Sequence, residues 1–330
     1  MASVAAMSEL RDEIIEWAAN GNLNPADVPR ALEIAGLTPE LSDWRKFLRT
    51  LLLWTGSILL ASGVIFFFGY NWQSLHRFGK FALAESIFVA ALIATWRLGI
   101  ERPAGKAALL GTVLLTGALL ALLGQTYQTG ADAFELWAYW AALILPWVIA
   151  ARFAPLWLLW IGLLNLSVAM FFQARSWGAF GFLLGTSGML WALLGINALA
   201  LASWEVGLVR GIPWLERWGA RVVATLTGGF ATTIGILCAV ESREIGGWQA
   251  ILAYIAWLVA TYLYYRLRVF DVFMLAGAVL SVIVVVAAFL GEHLLRHEDA
   301  GGFLLIGLVV IGMSGAGGWW IRQMLRERSA

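Results

Sequence analysis

The side chains best suited to chemistry lie where several long apolar runs end or begin. Asn71-Trp72 ends the first run, a Gly-Gln-Thr-Tyr stretch ends the third, and two carboxylates open the fourth. The loop 124–134 has those carboxylates in or beside it and no basic residue. Aromatic, amide and carboxylate groups together suit a sugar or a polar headgroup, and they are also ordinary at a membrane interface. The candidate polar pocket comprises Asn71, Trp72, Glu85, Gln125, Tyr127, Asp132 and Glu135.

Glu85 is the clearest ionisable residue inside an apolar run. It lies seven residues into the second run, roughly 10 Å below the membrane surface at 1.5 Å per residue. Ionisable groups at that depth are costly and are candidates for function. Lys80, five residues earlier, is poorly spaced for pairing on the same helix face. Glu85 therefore needs a partner on another helix, a wet cavity or a proton, and a structural hydrogen bond and a transport or catalytic role both stay open.

No stretch of the sequence carries a specific catalytic, metal or cofactor signature. His293 and His297 have the i, i+4 spacing of two zinc ligands on a helix, but without a reliable third ligand a solvated loop is the better interpretation. The only cysteine, Cys238, lies inside an apolar run, so no disulfide framework forms within one chain. We predict no catalytic residue, no metal beyond this weak histidine pair, and no cofactor.

The composition indicates the solvent in which the chain folds. Of 330 residues, 61% are apolar and 13% are charged, whereas soluble domains carry about 25% charged residues. So few charges cannot cover a water-facing surface, which makes the lipid bilayer the expected surroundings. The net charge is +1 and no long basic stretch occurs, so nucleic-acid binding is not expected. The first apolar run, from Leu48, is expected to act as an uncleaved insertion signal.

Apolar runs of about 20 residues, the length needed to cross the hydrocarbon core, predict an all-α, polytopic transmembrane helical bundle with about ten spans. The weakest boundary is 151–154, and a single long helix there would give nine spans. The predicted spans are 48–70, 78–96, 107–124, 134–151, 154–172, 180–204, 221–240, 247–265, 269–290 and 302–321.

Basic residues orient these spans, because cytoplasmic loops carry an excess of lysine and arginine. With the N-terminus inside, 17 of the 22 basic residues fall on the inner side. A nine-span arrangement would place Arg210, Arg217 and the C-terminal arginines outside. We therefore predict ten spans in the bacterial inner membrane, with the N-terminus and the C-terminus in the cytoplasm.

The N-terminal segment is the one part that resembles soluble structure. Ser8 is a candidate cap for a first short helix ending at Asn20-Gly21, and Asn24-Pro25 or Val28-Pro29 begins a second. Such short helices must pack on each other, on the membrane or on a protein partner, and residues 8–47 are the candidate docking segment. The predicted domains are a cytoplasmic helical hairpin, 1–47, and a transmembrane domain, 48–330.

Thr38-Pro39 is expected to cap the helix that continues into the first span. Within the bundle, Asn165 and Asn197 are expected to join neighbouring helices by hydrogen bonds. Small residues that allow close helix approach are predicted to form packing grooves at Gly181, Gly185, Gly228, Gly229, Gly235, Gly307, Gly312, Gly315, Gly317 and Gly318.

Several motifs follow one another in the N-terminal half of the chain: Trp17 in the hairpin, Asn71-Trp72, Gly124-Gln125-x-Tyr127, Asp132, Trp137 and Pro146. Their order resembles the bacterial predicted-membrane-protein family catalogued as domain of unknown function 2157, over roughly residues 8–172. The family often has an acidic residue after Asn-Trp, where this chain has Gln73. The resemblance implies a membrane topology and no particular chemistry.

Three functions are compatible with these features. The first is a structural or assembly component of the membrane that acts through partners, which the short loops and the hairpin favour. The second is a carrier or flippase for a polar small molecule or a lipid-linked group, using Glu85 and the polar pocket. The third, a membrane-embedded transferase using Asp132 and Glu135, which the ten-span arrangement places on the outer side, has the least support because no paired acid–base or metal motif is visible.

Overall fold

Long apolar runs fold as helices in lipid because only a helix satisfies all its backbone hydrogen bonds within one segment. The computed structural model describes residues 4–70, 76–127, 130–175, 186–240, 247–294 and 300–329, and these residues form helices and turns without any strand. The twelve α-helices in chain order are α1 Val4–Ala19, α2 Val28–Ile34, α3 Leu41–Tyr70, α4 Arg77–Leu98, α5 Pro103–Tyr127, α6 Ala133–Ala151, α7 Ala154–Arg175, α8 Thr186–Val209, α9 Arg217–Val240, α10 Trp248–Leu263, α11 Val272–Leu294 and α12 Ala300–Ser329.

Helices α3 to α12 are the candidate transmembrane helices. In the described part of the chain, ten helices are long and apolar enough to cross a membrane. This confirms the prediction of a polytopic helical bundle, and the protein is a multi-pass membrane protein. Most exposed apolar side chains on these ten helices therefore face lipid.

The boundary between α6 and α7 decides between nine and ten apolar helices. Helix α6 ends at Ala151, and Arg152 adopts a left-handed conformation with φ 46° and ψ 56°. Helix α7 begins two residues later, at Ala154. A left-handed residue commonly follows a helix end, so the chain turns here and the two helices are separate.

The N-terminal hairpin consists of α1, a short 3-10 turn at Pro25–Asp27, and α2. Asn24 Oδ1 accepts a hydrogen bond from the Ala26 N–H at 3.1 Å, as expected of a cap. Gly36 follows α2 with φ 67°, a conformation that glycine adopts without strain. The two-helix prediction is confirmed, but Ser8 is not the first cap, because α1 already begins at Val4.

Helix α3 begins at Leu41 rather than at the predicted Thr38-Pro39 cap. The Glu40 N–H instead donates to Asp43 Oδ2 at 3.3 Å, so a side chain inside the first turn satisfies the free N–H before the helix. The helix then continues through residues 47 and 48 without a break. The division into a cytoplasmic hairpin and a transmembrane domain at that point stays a prediction.

By contacts, the chain divides into two compact units. The smaller comprises Met1–Leu75 and Val89–Thr112, and the larger comprises His76–Phe88 and Val113–Ala330. Inside the smaller unit, the Ser57 hydroxyl donates to the Ala107 carbonyl at 2.6 Å. The larger unit contains both polar sites described below.

The core of the larger unit lies where α8, α9 and α11 pack together. Ala220 and Val223 of α9 are fully buried against Trp204 of α8 and Leu275 of α11. A Cβ at Gly219 would overlap the Trp204 ring. The missing side chain therefore lets the indole lie on the α9 backbone, which fixes the ends of these two helices beside each other.

Two interior amides join α7 to α8. Asn197 Nδ2 donates to Asn165 Oδ1 at 2.6 Å, and Asn165 Nδ2 donates back to Asn197 Oδ1 at 3.3 Å. Each amide also donates to the carbonyl four residues earlier on its own helix. The prediction that these residues hold helices together is confirmed.

The glycine-groove prediction is confirmed at some positions and wrong at others. A Cβ at Gly228 would lie 3.2 Å from Trp257, one at Gly235 would lie 3.0 Å from Val285, and Gly317 packs against Val279. The remaining predicted glycines that the structure describes have open space instead: Gly229, Gly307, Gly312, Gly315 and Gly318. Gly181 and Gly185 lie outside the described residues.

Candidate functional site

An open cavity of about 640 Å³ lies between the end of α5 and the start of α6. Gln125, Asp132 and Glu135, all members of the predicted polar pocket, line it together. Leu120 of α5 adds an apolar surface to the cavity wall, and Tyr139 of α6 adds an aromatic one. We call this the α5–α6 cavity.

Close packing of α5 on α6 sets the walls of this cavity. The Trp140 Nε1–H of α6 donates to the Val113 carbonyl of α5 at 2.9 Å. The Trp140 ring also lies directly against Gly117, where a Cβ would come within 2.5 Å of it. This contact requires glycine at 117 and holds the two helices together just below the cavity.

The two carboxylates occupy the first turn of α6. Asp132 is the residue before the helix, with an extended backbone, and its side chain makes no capping hydrogen bond. Glu135 lies three residues later, and its backbone N–H donates to the Asp132 carbonyl at 3.0 Å. Both carboxylates therefore lie beside the partial positive charge of the α6 N-terminus.

The α5–α6 cavity is acidic. The described residues that line it include two carboxylates and no lysine, arginine or histidine. Asp132 is exposed and Glu135 is half-buried, and neither forms an ion pair with any residue that the structure describes. These groups are free to accept hydrogen bonds from a cation or from a molecule rich in hydroxyl groups.

Of the other predicted pocket residues, the structure describes Glu85 and Tyr127, and neither lines this cavity. Glu85 lies on α4 with an exposed side chain. Tyr127, at the end of α5, packs its ring against Phe81 with 5.7 Å between ring centres. Asn71 and Trp72 lie outside the described residues, as does Gln73.

Of the two weak metal candidates, His293 and His297, the structure describes only His293. His293 lies in the last turn of α11, where its Nδ1 is 2.8 Å from the Phe289 carbonyl. His297 lies outside the described residues. Among the residues that the structure describes, no group of three His, Cys, Asp or Glu side chains is placed to hold a metal ion.

A second polar cluster, absent from the sequence prediction, joins α8, α9 and the start of α11. Arg217 Nη1 lies 2.7 Å from Glu205 Oε2, and Arg217 Nε lies 3.0 Å from Asp271 Oδ2. Arg221 binds both oxygens of Asp271, through Nε at 3.1 Å and Nη2 at 3.2 Å. Two arginines and two carboxylates therefore form one neutral network, which we call the ion-pair network.

The carboxylates of the ion-pair network are buried and well satisfied. Glu205 is 5% exposed and Asp271 is 3% exposed. Tyr265 donates its hydroxyl to Glu205 Oε1 at 2.8 Å, and Tyr264 donates to Oε2 at 3.2 Å. The Phe273 N–H donates to Asp271 Oδ1 at 3.0 Å. Buried charges persist only when paired and hydrogen-bonded in this way.

A turn of π-helix at the end of α10 brings both tyrosines to the same carboxylate. Tyr264–Arg268 form this turn, and the Val269 N–H closes it on the Tyr264 carbonyl at 3.0 Å. The wider turn allows two consecutive side chains to reach Glu205. Such π-turns interrupt helices rarely and commonly mark positions with a special role.

Asp271 lies in the short connection before α11, and two effects act on its pKa. Burial raises the pKa of the Asp271 carboxyl, but hydrogen bonds and positive charge from Arg221 and Arg217 outweigh burial and hold it below its ordinary value. Asp271 is therefore ionised at neutral pH, and it joins α9 to α11 as a charged acceptor.

The ion-pair network was not predicted from the sequence because its carboxylates look like ordinary residues at span ends. The available signal was the i, i+4 spacing of Arg217 and Arg221, which places two cations on one face of α9. Cations at a helix end that face other helices require acceptors there. Glu205 and Asp271 are the carboxylates nearest the ends of the adjoining helices.

Comparison with known proteins gives one match. Residues 15–157 match the model of the family described as Predicted membrane protein (DUF2157), in agreement with the resemblance in the N-terminal half. No curated protein and no solved structure matches the chain. The matched segment contains the α5–α6 cavity, whereas the ion-pair network lies entirely beyond it.

Proposed function

We propose that this multi-pass membrane protein, with its DUF2157 segment at residues 15–157, is a carrier or flippase for a polar small molecule or a lipid-linked group. The α5–α6 cavity would take the polar part of that ligand. The observation that carries the proposal is the grouping of Gln125, Asp132 and Glu135 around an open cavity of about 640 Å³. Small-molecule sites commonly have volumes of about 300–1,000 Å³.

The chemistry of the lining indicates the class of ligand. Two carboxylates without a basic neighbour favour a positively charged group or several hydroxyl donors. Gln125 adds one amide that both donates and accepts, while Tyr139 offers a ring face to an apolar or sugar surface. An anionic ligand would be repelled, so the expected substrates are amines, amino sugars or other hydroxyl-rich headgroups.

We also propose a bacterial inner membrane location with both termini in the cytoplasm. The support is the placement of 17 of 22 basic residues on the side of the termini. In that orientation the α5–α6 cavity opens on the outer side of the membrane. The ligand would therefore be met outside the cytoplasm or in the outer leaflet.

Native mass spectrometry of the full-length protein, released gently from its own membranes, tests the proposed ligand. We expect a small molecule or lipid-linked species to be retained by the wild type and lost from the D132N/E135Q double variant. E101Q is the matched control, because Glu101 is exposed and lies outside the cavity. Equal retention by all three proteins, or no retained species in the wild type, would contradict the proposal.

A second candidate function, assembly through a protein partner, rests on the N-terminal hairpin. Ile14 is buried inside it, but Leu10, Trp17 and Ile34 are exposed, Ile34 by 80%. These residues lie outside the apolar spans, where lipid does not account for exposed apolar side chains as it does along a span. A partner helix would cover them.

The same spectra test this second candidate. A second polypeptide retained in fixed ratio by the wild type, kept by D132N/E135Q and lost from I34E would support assembly through the hairpin. Absence of any retained polypeptide from the wild type, or its retention by I34E, would contradict it.

A further inference from the structure

A groove of about 510 Å³ runs between α9, α10 and α11 in the larger unit. Its floor is made of small residues, including Gly228, Gly229 and Gly277, and its sides carry the rings of Trp257 and Phe273. Gly229 and Gly277 have no atom within 4 Å of a built Cβ. The groove is therefore real empty space on a helix surface rather than a packed interface.

The length of the groove matches one leaflet of a bilayer. It extends from Ala224 to Thr233 along α9 and from Phe273 to Val284 along α11. At 1.5 Å per residue each path is roughly 15 Å long. The hydrocarbon core is about 30 Å thick, so the groove accommodates a single acyl chain from one leaflet.

Arg221 lies at one end of this groove. Its Cζ atom is 5.6 Å from the centre of the Phe273 ring, which lines the groove. Thr225, which lies one turn further along α9, also lines the groove. The side chain is 45% exposed, so the guanidinium is accessible at the point where an acyl chain would meet its headgroup.

The Arg221 guanidinium has N–H groups that its bonds to Asp271 do not use. Asp271 occupies Nε and Nη2 of Arg221, and Nη1 forms no hydrogen bond with the described residues. In the same network, Arg217 Nη2 is buried without a hydrogen-bond partner in the described part of the chain. A guanidinium held in position by a carboxylate, with N–H groups still free, matches the oxygens of a phosphate group.

We propose that this groove binds one phospholipid, with an acyl chain lying along Gly229 and Gly277 and its phosphate accepting hydrogen bonds from Arg221. The ion-pair network thereby has a second role, since Asp271 fixes the guanidinium toward the groove. This site lies outside the α5–α6 cavity and is independent of the ligand proposed there.

Thermal unfolding of the purified full-length protein in detergent tests the proposal. The probes are phosphatidylglycerol and diacylglycerol with identical acyl chains, which differ by the phosphate headgroup. We expect phosphatidylglycerol to raise the unfolding temperature in a saturable way and diacylglycerol to have little effect. An equal shift with both probes would overturn the proposal, and so would a shift produced by inorganic phosphate alone, which would assign Arg221 to a free anion.

Two variants, G229L and R221Q, test the groove and its polar end separately. G229L fills the groove where a side chain meets no neighbouring atom, so the protein should fold and the phosphatidylglycerol shift should disappear. G307L is the matched control, because Gly307 on α12 also has open space around its Cβ, and it should keep the full shift. A full shift in G229L would overturn the proposal.

R221Q removes the phosphate donor. We expect the half-saturating concentration of phosphatidylglycerol to rise about fivefold, the effect of losing one arginine contact near a headgroup. If the broken pair with Asp271 prevents R221Q from folding, G229L still decides the outcome. An unchanged half-saturating concentration in folded R221Q would contradict the role of Arg221.

Discussion

The α5–α6 cavity and the ion-pair network use the same kind of residue in opposite ways. Each has two carboxylates at helix ends: Asp132 and Glu135 in one, Glu205 and Asp271 in the other. In the cavity the carboxylates are exposed or half-buried and form no ion pair with described residues. In the network both are buried, and each is bound by arginine.

This difference separates binding from stability. A carboxylate that keeps its water can exchange it for a ligand at little cost to the fold. A buried carboxylate has already given up its water, so its partners must remain in place. We therefore expect changes in the network to destabilise the protein and changes in the cavity to alter ligand binding with little effect on stability.

The largest expected effect comes from D271A. It leaves Arg217 and Arg221 without the carboxylate that both bind, and removal of one partner from a buried pair costs about 3–5 kcal/mol. D132A should change the free energy of unfolding by no more than about 0.5 kcal/mol, as at an ordinary surface position. Unfolding in mixed detergent measures both, and equal losses would remove the distinction between the two regions.

Lowering the pH provides a further test of the role of Asp271 in the ion-pair network. Because the folded pKa of Asp271 is lowered, its stabilising contribution is fully present above the unfolded pKa of about 4 and is lost as pH falls through the folded pKa. Between pH 5 and 8 we expect a constant difference in unfolding temperature between wild type and D271N. Below pH 4 that difference should narrow, and a difference that grows on acidification would contradict the direction of the pKa shift.

Tyr265 provides a smaller test of the network. Y265F removes the 2.8 Å hydrogen bond to Glu205, and hydrogen bonds to charged groups contribute about 1.5–3 kcal/mol. Y264F is the control, because its bond to the same carboxylate is longer, at 3.2 Å. The loss of stability should be greater in Y265F, and a greater loss in Y264F would contradict this ranking of the two hydrogen bonds.

The uncharged pair of Asn165 and Asn197 should have the smallest effect among the buried polar groups. Its hydrogen bonds connect α7 to α8 within the bundle, and such bonds between membrane helices contribute about 0.6 kcal/mol on average and 1.7 kcal/mol at most. N197A should therefore lower the unfolding temperature less than D271A does. A loss as large as that of D271A would mean that buried charge is not what distinguishes the ion-pair network.

Features that depend on position along the chain could be predicted from the sequence. The ten apolar helices, the break beside Arg152 and the N-terminal hairpin all follow from the order of apolar residues and helix-ending residues. The grouping of Gln125 with Asp132 and Glu135 also follows, because the end of one helix and the start of the next are joined by a short loop.

Features that depend on rotation of helices about their axes could not be predicted in this way. In the ion-pair network, Glu205 of α8 meets Arg217 of α9 close to the point where Trp204 packs on the backbone at Gly219. The sequence leaves Glu85 a partner on another helix, a wet cavity or a proton, and in the structure its side chain is exposed and does not line the α5–α6 cavity. An apolar run gives the depth of a residue in the membrane but not the neighbour that it faces.

Carboxyl footprinting, read by mass spectrometry, most directly tests the separation of an open binding site from a closed structural network. The protein is labelled in its native membranes and again after purification and extensive washing. We predict that Asp132 and Glu135 are modified more after washing, when the ligand has been removed, while Glu205 and Asp271 stay protected in both samples. Equal modification of all four carboxylates, or no change at Asp132 and Glu135 on washing, would contradict this account.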